Sequence, residues 1–158
     1  MQAIAGMNTR THTGNEQSPE YQNRLGVFYA CGPCGETIDA ALALKWYLTA
    51  SCAGYADALW NAGSMLVDGE RDIKADPALG LLLIRLAADV FQTSACLYLS
   101  RCYETGRFSL PPNPALARYW AKAAYQVENF KSFNHSAELD LIRHHPTVEQ
   151  YTALPDRS

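Results

Sequence analysis

The sequence predicts an all-α protein: a right-handed α/α superhelix, or solenoid, of three helix-turn-helix repeats plus a C-terminal capping helix. A pattern of residues returns at a constant interval of 37 positions. The positions that keep this interval are Gly32, Gly69 and Gly106; Tyr29, Leu66 and Tyr103; Asp39, Asp76 and Asn113; Trp46, Leu83 and Trp120; and Ala50, Ala87 and Ala124. A period of roughly 20–50 residues is the signature of an array of similar supersecondary units.

Helix start and stop signals recur inside each unit. Ser18-Pro19 begins the first helix, because a hydroxyl caps the free N–H groups and proline has no N–H to lose. Asp76-Pro77 and Asn113-Pro114 repeat this combination at the start of two second helices, and Asp39 holds the same place without the proline. Gly32 and its two equivalents follow first helices, since glycine readily adopts the positive φ found just past a helix.

These signals divide the chain into segments. An array needs its open end covered, so the helical period after the third unit predicts a capping helix. Proline at 146 then ends that helix. The predicted segments are a mobile N-terminal tail (1–17), a solenoid (18–145) with repeats at about 20–54, 56–91 and 93–128 and a capping helix at about 129–143, and a C-terminal tail (146–158).

Composition and charge exclude several classes of function. The chain has 158 residues, 13 Lys+Arg and 16 Asp+Glu, which gives a net charge of −3. A nucleic-acid partner is not expected, because phosphate binding requires a basic face. The sequence has no basic amphipathic segment for a membrane surface, no long apolar run and no apolar signal-peptide core. We therefore expect a cytoplasmic protein.

The tetrad Cys31-Gly32-Pro33-Cys34 matches the active-site motif of thioredoxin-like proteins and suggests a thiol-disulfide oxidoreductase as an alternative function. That chemistry needs a preceding strand and a βαβ context. The repeat register instead predicts a helix before Cys31 and explains Gly32 as a helix stop. Five cysteines cannot all pair within one chain, so buried free thiols are the simpler expectation.

Other chemistry-bearing residues form no recognisable set. His135, His144 and His145 do not combine with Cys31 and Cys34 in a zinc-ligand spacing. The acids Asp68 and Glu104 and the hydroxyls of Ser64 and Ser94 have no companion His or nucleophile in the pattern. The sequence therefore predicts no catalytic residue, no metal and no cofactor.

The repeated residues follow one motif in three copies. The first copy contains Leu25-Gly26, Tyr29, Gly32, Asp39, Ala43, Trp46-Tyr47, Ala50 and Gly54; the second, Gly63, Gly69, Asp76 and Ala87-Ala88; the third, Tyr103, Gly106, Ala117, Trp120 and Ala123-Ala124. Over roughly residues 20–127 this pattern resembles the Sel-one-like repeat family, a branch of the tetratricopeptide-type α/α solenoids. The second unit departs from it, with Leu83-Ile84 in place of the aromatic pair.

The resemblance implies a non-enzymatic protein-interaction module, an adaptor or regulator that binds a protein or peptide in its concave groove. By analogy with tetratricopeptide units, the first helix of each pair lines that groove. The predicted contact residues are Asn23, Val27, Asp57, Trp60, Ser64, Asp68, Leu97, Arg101 and Glu104. A specialised alternative is an immunity protein or chaperone-like inhibitor of a bacterial secreted toxin or effector. The oligomeric state is left open.

Trp60 has two interpretations. On the inward face beside Arg101 it would anchor a partner, because Trp and Arg dominate interface hot spots. Alternatively, it packs into a neighbouring helix of its own chain, as large aromatic side chains often do.

Overall fold

The computed structural model describes residues 17–32, 37–125 and 136–156. Within these ranges the chain forms eight α-helices and one 3₁₀ turn at Arg107–Ser109. The helices are α1 (Pro19–Cys31), α2 (Ala40–Ser51), α3 (Ala56–Asp68), α4 (Pro77–Asp89), α5 (Thr93–Thr105), α6 (Pro114–Ala123), α7 (Ser136–Arg143) and α8 (Pro146–Thr152). The segments 1–16, 33–36, 126–135 and 157–158 lie outside the described residues, including the predicted N-terminal tail up to residue 16 and the first half of the capping helix.

Helix caps form where the sequence predicts them. The Ser18 hydroxyl accepts a hydrogen bond from the Tyr21 N–H at 3.2 Å, and the Asn113 side-chain oxygen accepts from two backbone N–H groups of α6 at 3.1 Å. Asp39 and Asp76 cap α2 and α4 in the same way. Gly32, with φ of 57°, ends α1 in the left-handed region. These local contacts fix the length of each helix.

The helices pack as successive pairs, α1 with α2, α3 with α4 and α5 with α6, and each pair contacts the next. Small residues bring paired helices close together. A Cβ built on Gly26 of α1 would lie 2.5 Å from two ring carbons of Tyr47 on α2. A Cβ built on Gly63 of α3 would lie 2.9 Å from the backbone oxygen of Gly80 on α4. The predicted all-α solenoid of helix pairs is confirmed.

The core lies between the two helix layers. We call α1, α3 and α5 the first-helix layer, and α2, α4 and α6 the second-helix layer. The largest fully buried side chains include Leu44 and Leu48 of α2, Leu59 and Leu66 of α3, and Leu83 of α4. Burial of each such side chain contributes about 1.5–3 kcal/mol. The stack is therefore held by apolar contacts within and between neighbouring units.

The C-terminal helices return to the start of the array. α8 packs against α2, with Val148 and Tyr151 buried. The Thr147 hydroxyl donates a hydrogen bond to Asp76, the N-cap of α4, at 2.7 Å. The ammonium of Lys45, a buried residue of α2, is paired with Asp156. The sequence predicts a C-terminal tail from residue 146. The structure instead has a packed helix there, because the apolar side chains of this segment contact α2.

No single described helix has the length and apolar composition needed to cross a bilayer; α4 and α5 meet that test only as a pair bent by 120°.

Candidate functional site

Side-chain contacts connect the helices of the first-helix layer. The Asn61 amide of α3 donates a hydrogen bond to the Asn23 side-chain oxygen of α1 at 3.1 Å. On the other side of α3, Trp60 meets Tyr98 of α5 edge to face, with ring centroids 5.8 Å apart. Two consecutive residues of α3 thus reach its two neighbours, which makes α1, α3 and α5 a continuous surface.

Trp60 satisfies parts of both interpretations. Its side chain is half-buried and packs against the core, yet it keeps an exposed portion. Edge-to-face aromatic pairs contribute about 0.5–1.5 kcal/mol beyond their buried area. The Tyr98 hydroxyl is buried without a hydrogen-bond partner among the described residues, and burial raises the pKa of Tyr98 above its ordinary value. Trp60 therefore joins α3 to α5 and also forms part of the outer surface.

Three predicted residues of α5 lie on one side of that helix. Leu97, Arg101 and Glu104 are four and three positions apart, so they are neighbours on the helix surface. Leu97 is half-buried against the core, whereas Arg101 and Glu104 are exposed. Neither charged side chain has a hydrogen bond or ion pair with any part of the chain that the structure describes. We call Trp60, Leu97, Tyr98, Arg101 and Glu104 the α3–α5 patch.

The predicted acids of α3 are exposed and already have partners. Asp57 accepts a hydrogen bond from the Gln92 side chain at 3.4 Å. Asp68 forms an ion pair with Arg107 at 2.7 Å, and about half of each side chain is exposed. Exposed pairs of this kind contribute roughly 0–1 kcal/mol to stability. A bound protein is therefore able to replace them with its own contacts at small cost.

The remaining predicted contact residues, Val27, Asn23 and Ser64, differ in how exposed their side chains are. Val27 of α1 is 42% exposed. Asn23 is only 8% exposed, and its side-chain oxygen accepts the hydrogen bond from Asn61 that joins α1 to α3. The Ser64 hydroxyl donates to the backbone oxygen of Asn61 at 2.9 Å and is half-buried.

A cavity of about 160 Å³ lies between α1, α2 and α3. The lining residues include Ile38, Tyr47, Asn61, Ser64, Met65 and Glu70. Ser64 was among the predicted contact residues; Tyr47, Asn61 and Glu70 were not. Tyr98 of the α3–α5 patch was also missed. No sequence signal marks these residues, because Glu70 lies in a connector and the repeat pattern assigns Tyr47 to the packing motif.

The cysteines occupy a helical context. Cys31 is exposed and is the last residue of α1, so a helix leads directly into it; Cys34 lies outside the described residues. Cys96 and Cys102 are buried free thiols, and burial raises the pKa of Cys96 to about 11. The strand-to-helix setting of a thioredoxin-like dithiol is therefore absent at Cys31.

Among residues 17–32, 37–125 and 136–156, no three His, Cys, Asp or Glu side chains come close enough together to hold a metal ion. His135 lies outside these ranges.

Comparison with known proteins agrees with this geometry. The crystal structure of a Sel1 repeat protein from Oxalobacter formigenes is similar to this chain, with a TM-score of 0.58 and 24% sequence identity. The alignment covers 68% of this chain and 79% of that one, and it supports the fold alone. No curated protein matches the sequence at a significant level. The family model for the Sel1 repeat matches residues 19–55, 56–89 and 93–126. Because these segments make up more than half of the sequence, the chain belongs to the Sel1 repeat family.

Proposed function

We propose that this chain is a cytoplasmic adaptor or regulator that binds a segment of another protein on its first-helix layer. The central contact is the α3–α5 patch, with Val27 of α1 and the exchangeable acids Asp57 and Asp68 at its margins. The analogy with tetratricopeptide units places this layer on the concave side of the stack.

The observation that carries the proposal is the combination of side chains in the α3–α5 patch. A half-exposed Trp60–Tyr98 pair adjoins an exposed Arg101, which has no partner among the described residues. Helical spacing places Arg101 one turn from Tyr98. Trp, Tyr and Arg are the side chains most enriched in interface hot spots, where an aromatic anchor gains energy by losing its remaining contact with water.

The family supports the same function at a general level. Sel1 repeats are protein-interaction modules, and the repeat is typically a non-catalytic fold. A stack of helix pairs presents an extended surface rather than a deep crevice. Binding along the first-helix layer is therefore the activity that the described residues support best.

The test begins with a partner recovered from the native cell extract by the tagged full-length chain. We expect the double variant Trp60→Ala/Arg101→Ala to bind this purified partner at least tenfold more weakly. The matched control is Arg118→Ala/Tyr119→Ala, which removes an exposed arginine and an exposed tyrosine from α6 in the second-helix layer. Unchanged affinity of the first variant, with an intact circular dichroism melt, rejects this surface.

The identity of the recovered partner separates two roles. Several components of one complex support a general adaptor. A single toxin-like partner, whose activity the chain inhibits, supports the immunity or chaperone-like role. The same Trp60 and Arg101 variants then show whether inhibition uses the α3–α5 patch.

A further inference from the structure

We propose that the cavity between α1, α2 and α3 receives a lysine or arginine side chain of the bound protein segment. This inference rests on the proposed function and names the chemistry of the partner. It concerns a place separate from the α3–α5 patch, so the two are tested independently.

Size and position favour a side chain as the occupant. The cavity volume is about 160 Å³, whereas sites for small-molecule ligands occupy roughly 300–1,000 Å³. Ser64 and Asn61 of α3 and Ala30 of α1 line the cavity. Asn61 is also the residue that joins α3 to α1, and its neighbour Trp60 belongs to the α3–α5 patch. The cavity therefore borders the first-helix layer, on which the proposed segment lies.

The walls suit a long side chain with a polar end. Ile38 and Met65 supply apolar surface for an alkyl stem. Tyr47 is 5% exposed, and its hydroxyl has no hydrogen-bond partner among the residues described. This unpaired hydroxyl is not fully shielded from solvent, so it is available to a side chain that enters the cavity. A tyrosine hydroxyl is able to accept a hydrogen bond from an ammonium or guanidinium group.

The negative charge of the cavity wall favours a cationic side chain as the occupant. Glu70, in the connector after α3, lines the cavity, is exposed and forms no ion pair within the described parts of the chain. The neighbouring cations Arg71 and Lys74 are not among the residues lining the cavity. An acidic side chain would meet Glu70 with like charge, and an apolar one would leave both Glu70 and Tyr47 unpaired. A lysine or arginine complements both groups.

The experiment selects peptides from a random library displayed on phage, using the full-length chain as target. Affinities of the enriched peptides are then measured by fluorescence anisotropy. We expect these peptides to share a lysine or arginine, and its replacement by norleucine to weaken binding at least threefold. Glu70→Gln should remove this preference for the cation. Tyr47→Phe should weaken the preference for a cation, because it removes the hydroxyl and keeps the aromatic ring. Synthetic peptides with lysine or arginine at that position show which cation is preferred.

Asp72→Asn is the matched control, because it removes one exposed acid from the same connector without touching the cavity. It should bind like the unmodified chain. Equal binding of lysine and norleucine peptides, or equal loss in Glu70→Gln and Asp72→Asn, overturns the inference. Enriched peptides that depend on Trp60 and Arg101 but ignore Glu70 reject the cavity and keep the proposed function. Enrichment of no peptide contradicts both proposals.

Discussion

Single glycines determine how closely the helices approach. Gly26 faces the ring of Tyr47, and a Cβ at this position would lie 2.5 Å from two ring carbons. We expect Gly26→Ala to lower the free energy of unfolding by about 1–3 kcal/mol, because a buried ring must move to accommodate the methyl group. Urea unfolding followed by circular dichroism measures this loss.

A double-mutant cycle identifies the cause. In a Tyr47→Ala background the collision is absent, and alanine is about 1 kcal/mol better than glycine inside a helix. The same Gly26→Ala change should then cost little or stabilise the chain. An equal loss in both backgrounds would show that the ring of Tyr47 is not what excludes the methyl group.

Two buried groups should make the free energy of unfolding fall as the pH becomes alkaline. Burial raises the pKa of Cys96 from 9.0 to about 11, and burial followed by the charges of Cys31 and Glu70 raises that of Tyr47 from 10.0 to about 12. Their stabilising contribution is complete below about pH 9, where both are neutral in the folded and unfolded chain. It is lost as the pH rises through 9–12, because the unfolded chain ionises first.

We therefore expect the free energy of unfolding to fall between pH 9 and pH 12, by up to about 2 kcal/mol for each group. Tyr47→Phe should reduce the part of this fall that occurs above pH 10. Urea titrations at several pH values provide the measurement. An identical pH profile for the variant would exclude Tyr47 as a source.

At the scale of elements, the C-terminal helix α8 should contribute more to the free energy of unfolding than an unpacked tail would. Val148 and Tyr151 are 1% and 8% exposed against α2 and its surroundings. We expect removal of residues 146–158 to cost about 3 kcal/mol or more, because each buried apolar side chain contributes about 1.5–3 kcal/mol. The urea m-value should also fall, since less surface is exposed on unfolding.

Two full-length variants test that explanation of the truncation. Val148→Ala/Tyr151→Ala should reproduce most of the loss. Glu149→Ala/Gln150→Ala, on the exposed side of the same helix, should stay within about 0.5 kcal/mol of the original chain. Equal stability of the truncated and full-length chains would show that the contacts of α8 do not stabilise the array.

The helices of the array were predictable because their signals are local. Gly32, Gly69 and Gly106 all have positive φ, between 57° and 72°, as the helix-stop pattern requires. The caps Asp76 and Asn113 likewise depend on residues within one turn. The position of α8 was not predictable, since it depends on contacts with α2 at a distance of about a hundred residues. Periodicity carries no information about a segment outside the repeat.

The candidate site was predictable only in part, for a similar reason. The repeat register assigned Trp60, Leu97 and Arg101 to the first-helix layer, but it could not say how deeply each side chain would be buried. Asn23 shows this limit: its register is that of a contact residue, yet it is only 8% exposed and accepts a partly buried hydrogen bond from Asn61. The cavity depends on how Tyr47 and a connector meet in space, which no repeat position encodes.

At the scale of the whole molecule, the return of α8 changes how the array should unfold. An open solenoid is held by contacts between neighbouring units, so its ends open first and independently. Here the Lys45 ammonium donates to the backbone oxygen of Leu154, 109 positions further along the chain, and Thr147 bonds to Asp76. The first two units and the C-terminus thus form a closed set of contacts, while α6 packs mainly against α5.

We therefore expect the backbone amides of α2 and α8 to exchange with deuterium through one shared opening, and those of α6 through a less costly one. Native-state exchange at increasing denaturant measures these free energies. Val148→Ala should lower the protection of α2 and α8 by the same amount and leave α6 unchanged, because only the closed set loses a contact. If α8 lost protection while α2 kept it, the C-terminal helix would be an independent attachment, and the chain would behave as an open array.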